Sequence, residues 1–137
     1  MPKMAVLGER LRQANLATLL AGELSSVDLN TREAAVLSLG HFGRPTAEPA
    51  LSIAAKDREL RVRRAAAWAL GQTDNRAATA PLSGLLSDED SIVRINAALS
   101  LGALEAKDAI PALANLLARD RDPGVRRAAA AALGRMQ

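Results

Sequence analysis

The stretch Val62-Arg-Arg-Ala-Ala-Ala-Trp-Ala-Leu-Gly71 decides the fold, because this sequence of 137 residues contains four versions of it. The other three are Thr31–Gly40 (TREAAVLSLG), Val93–Gly102 (VRINAALSLG) and Val125–Gly134 (VRRAAAAALG). The four final glycines are spaced by 31, 31 and 32 residues, and a leucine precedes each of them. A fixed period of this length is typical of a solenoid built from stacked repeats.

Each repeat is predicted to contain two helices, which we call helix A and helix B. Helix A carries apolar residues at i, i+3, i+4, i+7 and i+8, and its final glycine is expected to be a left-handed helix stop. Nine or ten residues after the first three glycines, a proline and a leucine predict the first turn of helix B. The predicted buried residues of helix B are Leu51, Ala54, Ala55, Leu82, Leu85, Leu86, Leu113, Leu116 and Leu117. Since neither helix can bury its apolar side alone, the repeats must stack.

The whole chain is predicted to be one all-α domain, an α-solenoid in which antiparallel helix pairs form a right-handed superhelix. The predicted boundaries place an N-terminal cap or degenerate repeat at 1–27, full repeats at 28–58, 59–89 and 90–121, and a terminal half repeat at 122–137. In that half repeat the stretch 128–132, with Leu133 and Met136, has no obvious cover. Either its helix A is itself the cap, or a solenoid end pairs with another copy of the chain.

An acid and an arginine recur in every repeat, four residues apart. The acid, twelve residues before the final glycine, is suited to cap helix A, and the arginine is eight residues before that glycine. The spacing places both side chains on one helical face, and its repetition suggests a ladder between neighbouring repeats. A catalytic site is built once, whereas a structural element recurs. We therefore interpret this set as a structural ladder: Asp28, Arg32, Glu59, Arg63, Asp90, Arg94, Asp122 and Arg126.

These repeats resemble a known family. The order of an acid, Val-Arg, Ala-Ala, Leu-Gly and then Pro-x-Leu is similar to HEAT-like repeats of the phycobilin (PBS) lyase type, and to the consensus of designed helical-repeat binders built on them. The resemblance extends over about residues 28–137. It implies an armadillo-like scaffold that binds proteins, in some members as part of a chromophore lyase complex. It also implies that helix B lines the concave surface and helix A the convex one.

The composition and the absent motifs narrow the function. With no cysteine and a single histidine, disulfides, thiolate metal sites and multi-histidine metal sites within one chain are excluded. The P-loop, the dinucleotide-binding glycines, the H-E-x-x-H motif and Gly-x-Ser-x-Gly are missing. No apolar run reaches the length of a membrane span. We expect a cytoplasmic protein that is not an enzyme and uses no cofactor or metal ion.

Three isolated features have a functional and a simpler interpretation. His41, at a helix end, is more simply a residue favoured by the helix dipole than a general base. The acidic run 88–90, with Asp57 or Asp120 from adjacent linkers, has the chemistry of a metal site, yet acids also belong at helix starts. Trp68 stands where other repeats have Leu or Ala, and we interpret it as filling a gap in the core.

The outward positions of helix B differ between repeats, whereas the core positions agree. Variation confined to one face is expected of a recognition surface, and equally of unconstrained solvent positions. Ile53 is the only large apolar residue among these positions, which suits contact with a protein or peptide. The predicted partner-binding residues of the concave face are Ser52, Ile53, Lys56, Ser83, Gly84, Ser87, Ala114, Asn115, Ala118 and Arg119.

We interpret the chain as a non-enzymatic scaffold that binds a protein or peptide on the concave helix-B surface. Two alternatives stay open. The resemblance implies a subunit of a phycobilin-lyase-like chromophore attachment complex. An arginine-rich edge suggests nucleic-acid binding, although interleaved acids and a net charge of only +3 weigh against it. The arginines of that edge are Arg58, Arg61, Arg63, Arg64, Arg119, Arg121, Arg126 and Arg127.

Overall fold

A computed structural model describes residues 16–137, and the predicted cap at 1–27 falls largely outside them. Eight helices and three short 3-10 turns make up this part, which contains no strand. The prediction of an all-α fold is therefore confirmed. The helices are α1 (16–23), α2 (Leu29–Phe42), α3 (Glu48–Ala54), α4 (Leu60–Leu70), α5 (Thr79–Leu85), α6 (Ser91–Ala103), α7 (Ile110–Arg119) and α8 (Pro123–Arg135). The 3-10 turns, Pro45–Ala47, Arg76–Ala78 and Lys107–Ala109, lead into α3, α5 and α7.

The helices stack in two parallel rows, as expected for a solenoid. The A helices α2, α4, α6 and α8 pack in succession, each on the next. Each B helix packs mainly on the A helix of the following repeat, so that α3 lies on α4, α5 on α6 and α7 on α8. The leucines before the first three repeat glycines and one leucine of each B helix are buried between the rows: Leu39, Leu70, Leu101, Leu51, Leu82 and Leu113.

Helix A begins in three of the four repeats as the sequence predicts. Asp28 and Asp90 accept a hydrogen bond from the backbone N–H three residues ahead, and Asp122 accepts one from Gly124. Glu59 caps nothing with its side chain. Instead the Asp57 carboxylate, two residues earlier, accepts the Glu59 N–H at 2.9 Å. A short side chain two residues before the cap thus fixes the linker.

The expectation that the repeat glycines stop helix A in a left-handed conformation is wrong. Gly40 and Gly102 lie inside α2 and α6, and Gly71 has a φ of −68°. In the first three repeats the left-handed residue comes three positions later, at Gly43, Asp74 and Glu105. The first three repeat glycines, Gly40, Gly71 and Gly102, instead admit the next A helix: a Cβ at Gly102 would lie 2.8 Å from the Cα of Ala132. They are required for close approach between helices.

The burial of residues in α8, and of one leucine in the preceding helix α7, differs from the predictions. Ala128, Ala129, Ala132 and Met136 are buried although no cover was expected for them, because α6 and α7 pack on α8. Conversely, Leu117 is 38% exposed although its counterparts in the two preceding B helices are buried. Within the described residues, one face of α8 is thus buried against α6 and α7, while Leu117 of α7 is partly exposed.

Trp68 lies half-buried over Gly40 rather than within the core. Its ring and the His41 imidazole form an edge-to-face pair, with the two centroids 4.9 Å apart and the planes at 60°. Such edge-to-face pairs are a favourable aromatic geometry. The tryptophan therefore packs at the contact between the first two A helices, α2 and α4.

Replacing Leu101 by alanine should lower the free energy of unfolding by about 2–5 kcal/mol, because its side chain is fully buried between the rows. Ser83→Ala, on the outward side of α5, should change it by less than about 0.5 kcal/mol. Urea denaturation of both variants measures the difference. A larger loss for Ser83→Ala would reverse the assignment of the two faces.

Candidate partner-binding site

A groove with a volume of about 1010 Å³ runs between the B helices α3 and α5. Its apolar wall and floor consist of Ile53, Ala55, Ala77, Ala80, Pro81, Gly84 and Leu85. Its polar rim consists of Glu48, Ser52, Lys56 and Asp57. A concave, mostly apolar surface with a few polar groups at its edge is the common form of a binding site.

The helical periodicity of α3 determines which of its side chains line the groove. Leu51 points into the core and is fully buried, so Ile53, two residues further along the helix, points outward and is 73% exposed. The Ser52 hydroxyl donates to the Glu48 carboxylate at 2.6 Å, which pairs these two rim groups with each other. Lys56 lies exposed one turn beyond Ser52. The α3 side thus offers an unpaired apolar side chain and an exposed cation.

Gly84 forms the open part of the opposite wall. It lies within α5, where glycine is less favourable than alanine by roughly 0.5–1 kcal/mol. A Cβ at this position would meet nothing within 4 Å. Unlike the first three repeat glycines, Gly84 is therefore not required by packing in the described part of the chain, and its effect is to widen the groove.

The groove gathers only part of the surface predicted from the sequence. Ser52, Ile53, Lys56 and Gly84 line it. The remaining predicted residues lie on the same side of α5 and α7 but outside the groove, half-buried for Ser83 and exposed for Ser87, Ala114, Asn115, Ala118 and Arg119. The wall formed by the 3-10 turn and the first turn of α5 was not predicted, because the sequence motif marks helix B only from its proline onward.

The predicted charge ladder exists between repeats but uses different acids. The guanidinium Nε atoms of Arg32, Arg63 and Arg94 donate to aspartate carboxylates at 2.9, 2.8 and 2.9 Å. Those acids lie 25 or 26 residues further along the chain, in the linker that precedes the next A helix: Asp57, Asp88 and Asp120. Of the acids four residues before each arginine, Asp28, Asp90 and Asp122 cap the helix start instead, so the expected pairing within one helix is wrong. We call these three contacts the inter-repeat bridges.

Each bridge is anchored at both ends. In Arg94, Nη1 donates to the Asp88 carbonyl at 2.8 Å, while Nε and Nη2 hold the Asp120 carboxylate. The same carboxylate accepts the Asp122 N–H at 2.9 Å. Only 8% of the Arg94 side chain and 7% of the Asp120 side chain are exposed. Planar, bidentate contacts of this kind are the stronger class of ion pair.

Two further arginines of α4, Arg61 and Arg64, also bind carboxylates of neighbouring repeats. Arg64 donates to the Asp90 carboxylate at 2.7 and 2.8 Å, and Arg61 donates to Glu33 at 2.9 and 3.0 Å. The Arg64 guanidinium holds the pKa of Asp90 at about 2, helped by the Val93 N–H and opposed by burial. Burial raises the pKa of Asp120, but hydrogen bonds from Arg94 and from the Asp122 backbone outweigh it and keep that pKa below its usual value.

These ion pairs bear on two alternatives raised by the sequence, a metal site and a nucleic-acid-binding edge. Asp57, Asp88 and Asp120 are held by arginines, and residues 16–137 contain no group of three His, Cys, Asp or Glu side chains arranged for a metal ion. In the proposed arginine-rich edge, Arg63 and Arg64 are already bound to carboxylates, which reduces the charge available to phosphates. No helix within the described range has the length and hydropathy to cross a membrane.

The sequence model of the family described as HEAT repeats matches residues 16–102 and 80–137. The phycocyanin lyase complex of CpcE and CpcF from Nostoc sp. PCC7120 is 26% identical over 88% of this chain and 65% of that chain, with a TM-score of 0.62. Human deoxyhypusine hydroxylase, in complex with glycerol, is 28% identical over 88% of this chain and 43% of its own, with a TM-score of 0.74. This chain therefore spans less than two thirds of either structure's length.

An engineered protein, 22% identical over 89% of this chain and 62% of its own with a TM-score of 0.67, shares the fold. A search of curated proteins gives no significant match. The resemblance of the repeats to the phycobilin lyase type and to designed repeat proteins is thereby confirmed.

Replacing Arg94 by glutamine should lower the free energy of unfolding by about 3–5 kcal/mol, because it leaves the buried Asp120 carboxylate without its partner. Arg61→Gln, which breaks the exposed pair with Glu33, should cost about 1 kcal/mol or less. Chemical denaturation of the two variants at neutral pH compares them. Equal losses would mean that burial does not distinguish the bridges from the surface pair.

Acid should destabilise the fold between about pH 4 and pH 2. Because the pKa of Asp90 is lower in the folded chain than its usual value of 3.8, its contribution is complete above pH 4 and is lost as the pH falls toward 2. Arg64→Gln should make the free energy of unfolding less dependent on pH in this range. Arg119→Gln, which removes an equal charge from an exposed position, is the control. An unchanged pH dependence in Arg64→Gln would contradict the assigned pairing.

Proposed function

We propose that this chain, which belongs to the family of HEAT repeat proteins, is a non-enzymatic scaffold that holds a segment of another protein in the α3–α5 groove. The observation that carries the proposal is the combination of Ile53, unpaired and 73% exposed, with Gly84, whose missing side chain widens the groove. Neither feature contributes to packing within the described residues. Both favour the approach of a ligand.

The dimensions and chemistry of the groove favour a short apolar segment, such as one face of an amphipathic helix. Burying an isoleucine side chain contributes about 1.5–3 kcal/mol, so Ile53 is the main source of affinity on the α3 side. The exposed Lys56 at the rim favours an acidic residue beside the apolar anchor. Asp57 adds little repulsion, because Arg32 already binds its carboxylate.

A peptide selection tests this function without knowledge of the natural partner. A random peptide library displayed on phage is selected against the 137-residue chain, and the recovered peptides are measured by calorimetry. Ile53→Asp should weaken their binding by at least about tenfold, since a loss of 1.4 kcal/mol is a factor of ten. The matched control is Ile92→Asp, a change at another exposed isoleucine that lies outside the groove. Peptides that bind Ile53→Asp as tightly as the unmodified chain would refute the groove.

Gly84→Ala separates stability from binding. The free energy of unfolding should rise by about 0.5–1 kcal/mol, because alanine is the better helix former and its Cβ enters open space. Affinity for the selected peptides should fall, because the methyl group narrows the groove. Gly134→Ala, where a Cβ also meets nothing, should leave peptide affinity unchanged. A gain in both stability and affinity would show that Gly84 has no role in the groove.

A second candidate is a subunit of a chromophore lyase complex, favoured by the similarity to the phycocyanin lyase complex of CpcE and CpcF. In that case the segment held in the groove belongs to a phycobiliprotein or to a partner subunit. Incubation of the chain with a bilin and an apo-phycobiliprotein, alone and with a partner subunit, tests it. Absence of both an adduct and binding would remove this candidate. Nucleic acid recovered with the chain only at low salt would instead favour the arginine-rich edge.

A further inference from the structure

We propose that the occupant of the α3–α5 groove is a helix of another protein that runs antiparallel to α3 and carries an acidic, an apolar and a basic residue, in that order, at intervals of four residues. This inference rests on the proposed function, since it specifies the segment that the groove holds. Its basis is a pair of opposite rim charges, Glu48 in the first turn of α3 and Lys56 just after the end of that helix. Ile53 lies between them.

Neither rim charge has an ionic partner in the described part of the chain. The ion pairs within residues 16–137 involve neither Glu48 nor Lys56. The Glu48 carboxylate accepts a hydrogen bond from the Ser52 hydroxyl, a neutral donor that leaves the negative charge in place. The neighbouring Asp57 is bound by Arg32 and not by Lys56. Both rim charges are therefore available to the side chains of a ligand.

The two rim charges belong to α3 alone, whereas the features that stack the repeats recur. The inter-repeat bridges, for example, appear at three successive contacts. The residues that correspond to Glu48 and Lys56 in the next two repeats carry no charge: Thr79, Ser87, Ile110 and Ala118. Ile53 likewise corresponds to Gly84 of α5. A charge pair and an apolar side chain that occur once, and together, are thus not part of the repeated packing.

The spacing of the rim charges determines the spacing of the residues that match them. Glu48, Ser52 and Lys56 follow at intervals of four residues, which places their side chains along one face of the helix. A rise of 1.5 Å per residue puts the two charges about 12 Å apart along the helix axis. A second helix beside α3 has the same rise. Its acid and its base are therefore also eight residues apart, with the apolar residue midway on the same face.

The lining of the groove favours a helix over an extended segment. The wall on the α5 side consists of apolar and mostly small residues: Ala77, Ala80, Pro81, Gly84 and Leu85. An extended segment would place backbone N–H and C=O groups against this wall, where no side chain can pair with them. A helix pairs its own backbone groups, and small side chains on the wall allow its axis to approach closely.

The order of the rim charges determines the direction of the bound helix. An acid is favoured in the first turn of a helix and a base in the last turn, because each complements the helix dipole. A helix with its acid beside Lys56 and its base beside Glu48 begins where α3 ends, so it runs antiparallel to α3. A parallel helix would need its base first and its acid last, which is the less favourable order.

No described helix of this chain offers the three residues in unbound form at this spacing, which argues against a second copy as the occupant. The helix α2 comes nearest, with Glu33, Leu37 and His41 at intervals of four residues. The Glu33 carboxylate is bound by Arg61, however, and the His41 imidazole packs against Trp68. A helix of a different protein therefore fits the groove better than α2 does.

The first test uses the phage-selected peptides whose binding is lost in Ile53→Asp. These peptides should share an acid, an apolar residue and a base at intervals of four residues. Calorimetry of such a peptide should show binding to Lys56→Glu that is weaker by about fivefold or more, because an attraction between opposite charges becomes a repulsion. A peptide in which lysine replaces the acid should then bind Lys56→Glu with restored affinity.

The base of the peptide is tested in the same way. Glu48→Lys should weaken binding to a similar extent, and a peptide with glutamate in place of the base should restore it. The matched control is Lys107→Glu, which reverses an exposed charge outside the groove and should change the affinity by less than about twofold. Urea denaturation of each variant verifies that it is folded, so that lost binding reports on the groove.

A second test measures the direction of the bound helix. Because the chain has no cysteine, Ser87→Cys and Thr79→Cys each introduce a single thiol, the first just after α5 and the second at its start. Successive B helices run in the same direction, so these two positions lie near the Lys56 and Glu48 ends of the groove. Under mild oxidation, a peptide with a cysteine added before its acid should form a disulfide with Ser87→Cys and not with Thr79→Cys.

The outcomes separate this inference from the proposed function. Peptides that depend on Ile53 but lack the two charges, or that bind Lys56→Glu undiminished, would overturn the inference and leave the groove as a binding site. The rim charges would then serve only the dipole of α3. A disulfide with Thr79→Cys instead would overturn the antiparallel direction. A selection that recovers no peptide dependent on Ile53 would refute the proposed function, and this inference with it.

Discussion

The contact on which the structure depends is the bridge between an arginine of one A helix and an aspartate of the next linker. The arginine closes its own linker through Nη1 and holds the neighbouring aspartate through Nε, so one side chain fixes both the start of a helix and its distance from the next. With little of either side chain exposed, the two charges are costly to separate. Small residues and glycines then allow the A helices to approach closely around the bridge.

The inter-repeat bridges also explain how the helices of an alanine-rich chain pack in one register. Alanine and leucine make up 52 of 137 residues, and such side chains pack without strong preference for one register. A bidentate contact tolerates little displacement along the helix, so the bridges favour one alignment of each A helix with the next. Apolar burial supplies most of the stability, and the ion pairs select among the stackings that burial alone would allow.

Much of the fold follows from the sequence because its determinants are local. The repeat period, the helix pairs, the core leucines other than Leu117 and three of the four acidic caps are correctly predicted. The partners of the arginines are not, because a spacing of four residues resembles a pair within one helix, while the true acid lies 25 or 26 residues away. The role of the repeat glycines was missed for the same reason, since only the neighbouring helix shows why a Cβ is excluded. The α3 side of the groove could be predicted from the helical periodicity of the sequence, whereas the 3-10 turn that completes the groove could not.

The packing of each B helix on the following A helix has a consequence for how such a chain can be cut and recombined. A boundary placed before helix A, where the sequence repeat begins, separates α3 from α4 and α5 from α6, although each of these B helices packs more closely on the following A helix than on its own. A boundary placed in the short connection after helix A, near Gly43 or Asp74, keeps those pairs together. The unit that can be exchanged between proteins is therefore a B helix with the following A helix, whereas the sequence motif of the repeat begins at helix A.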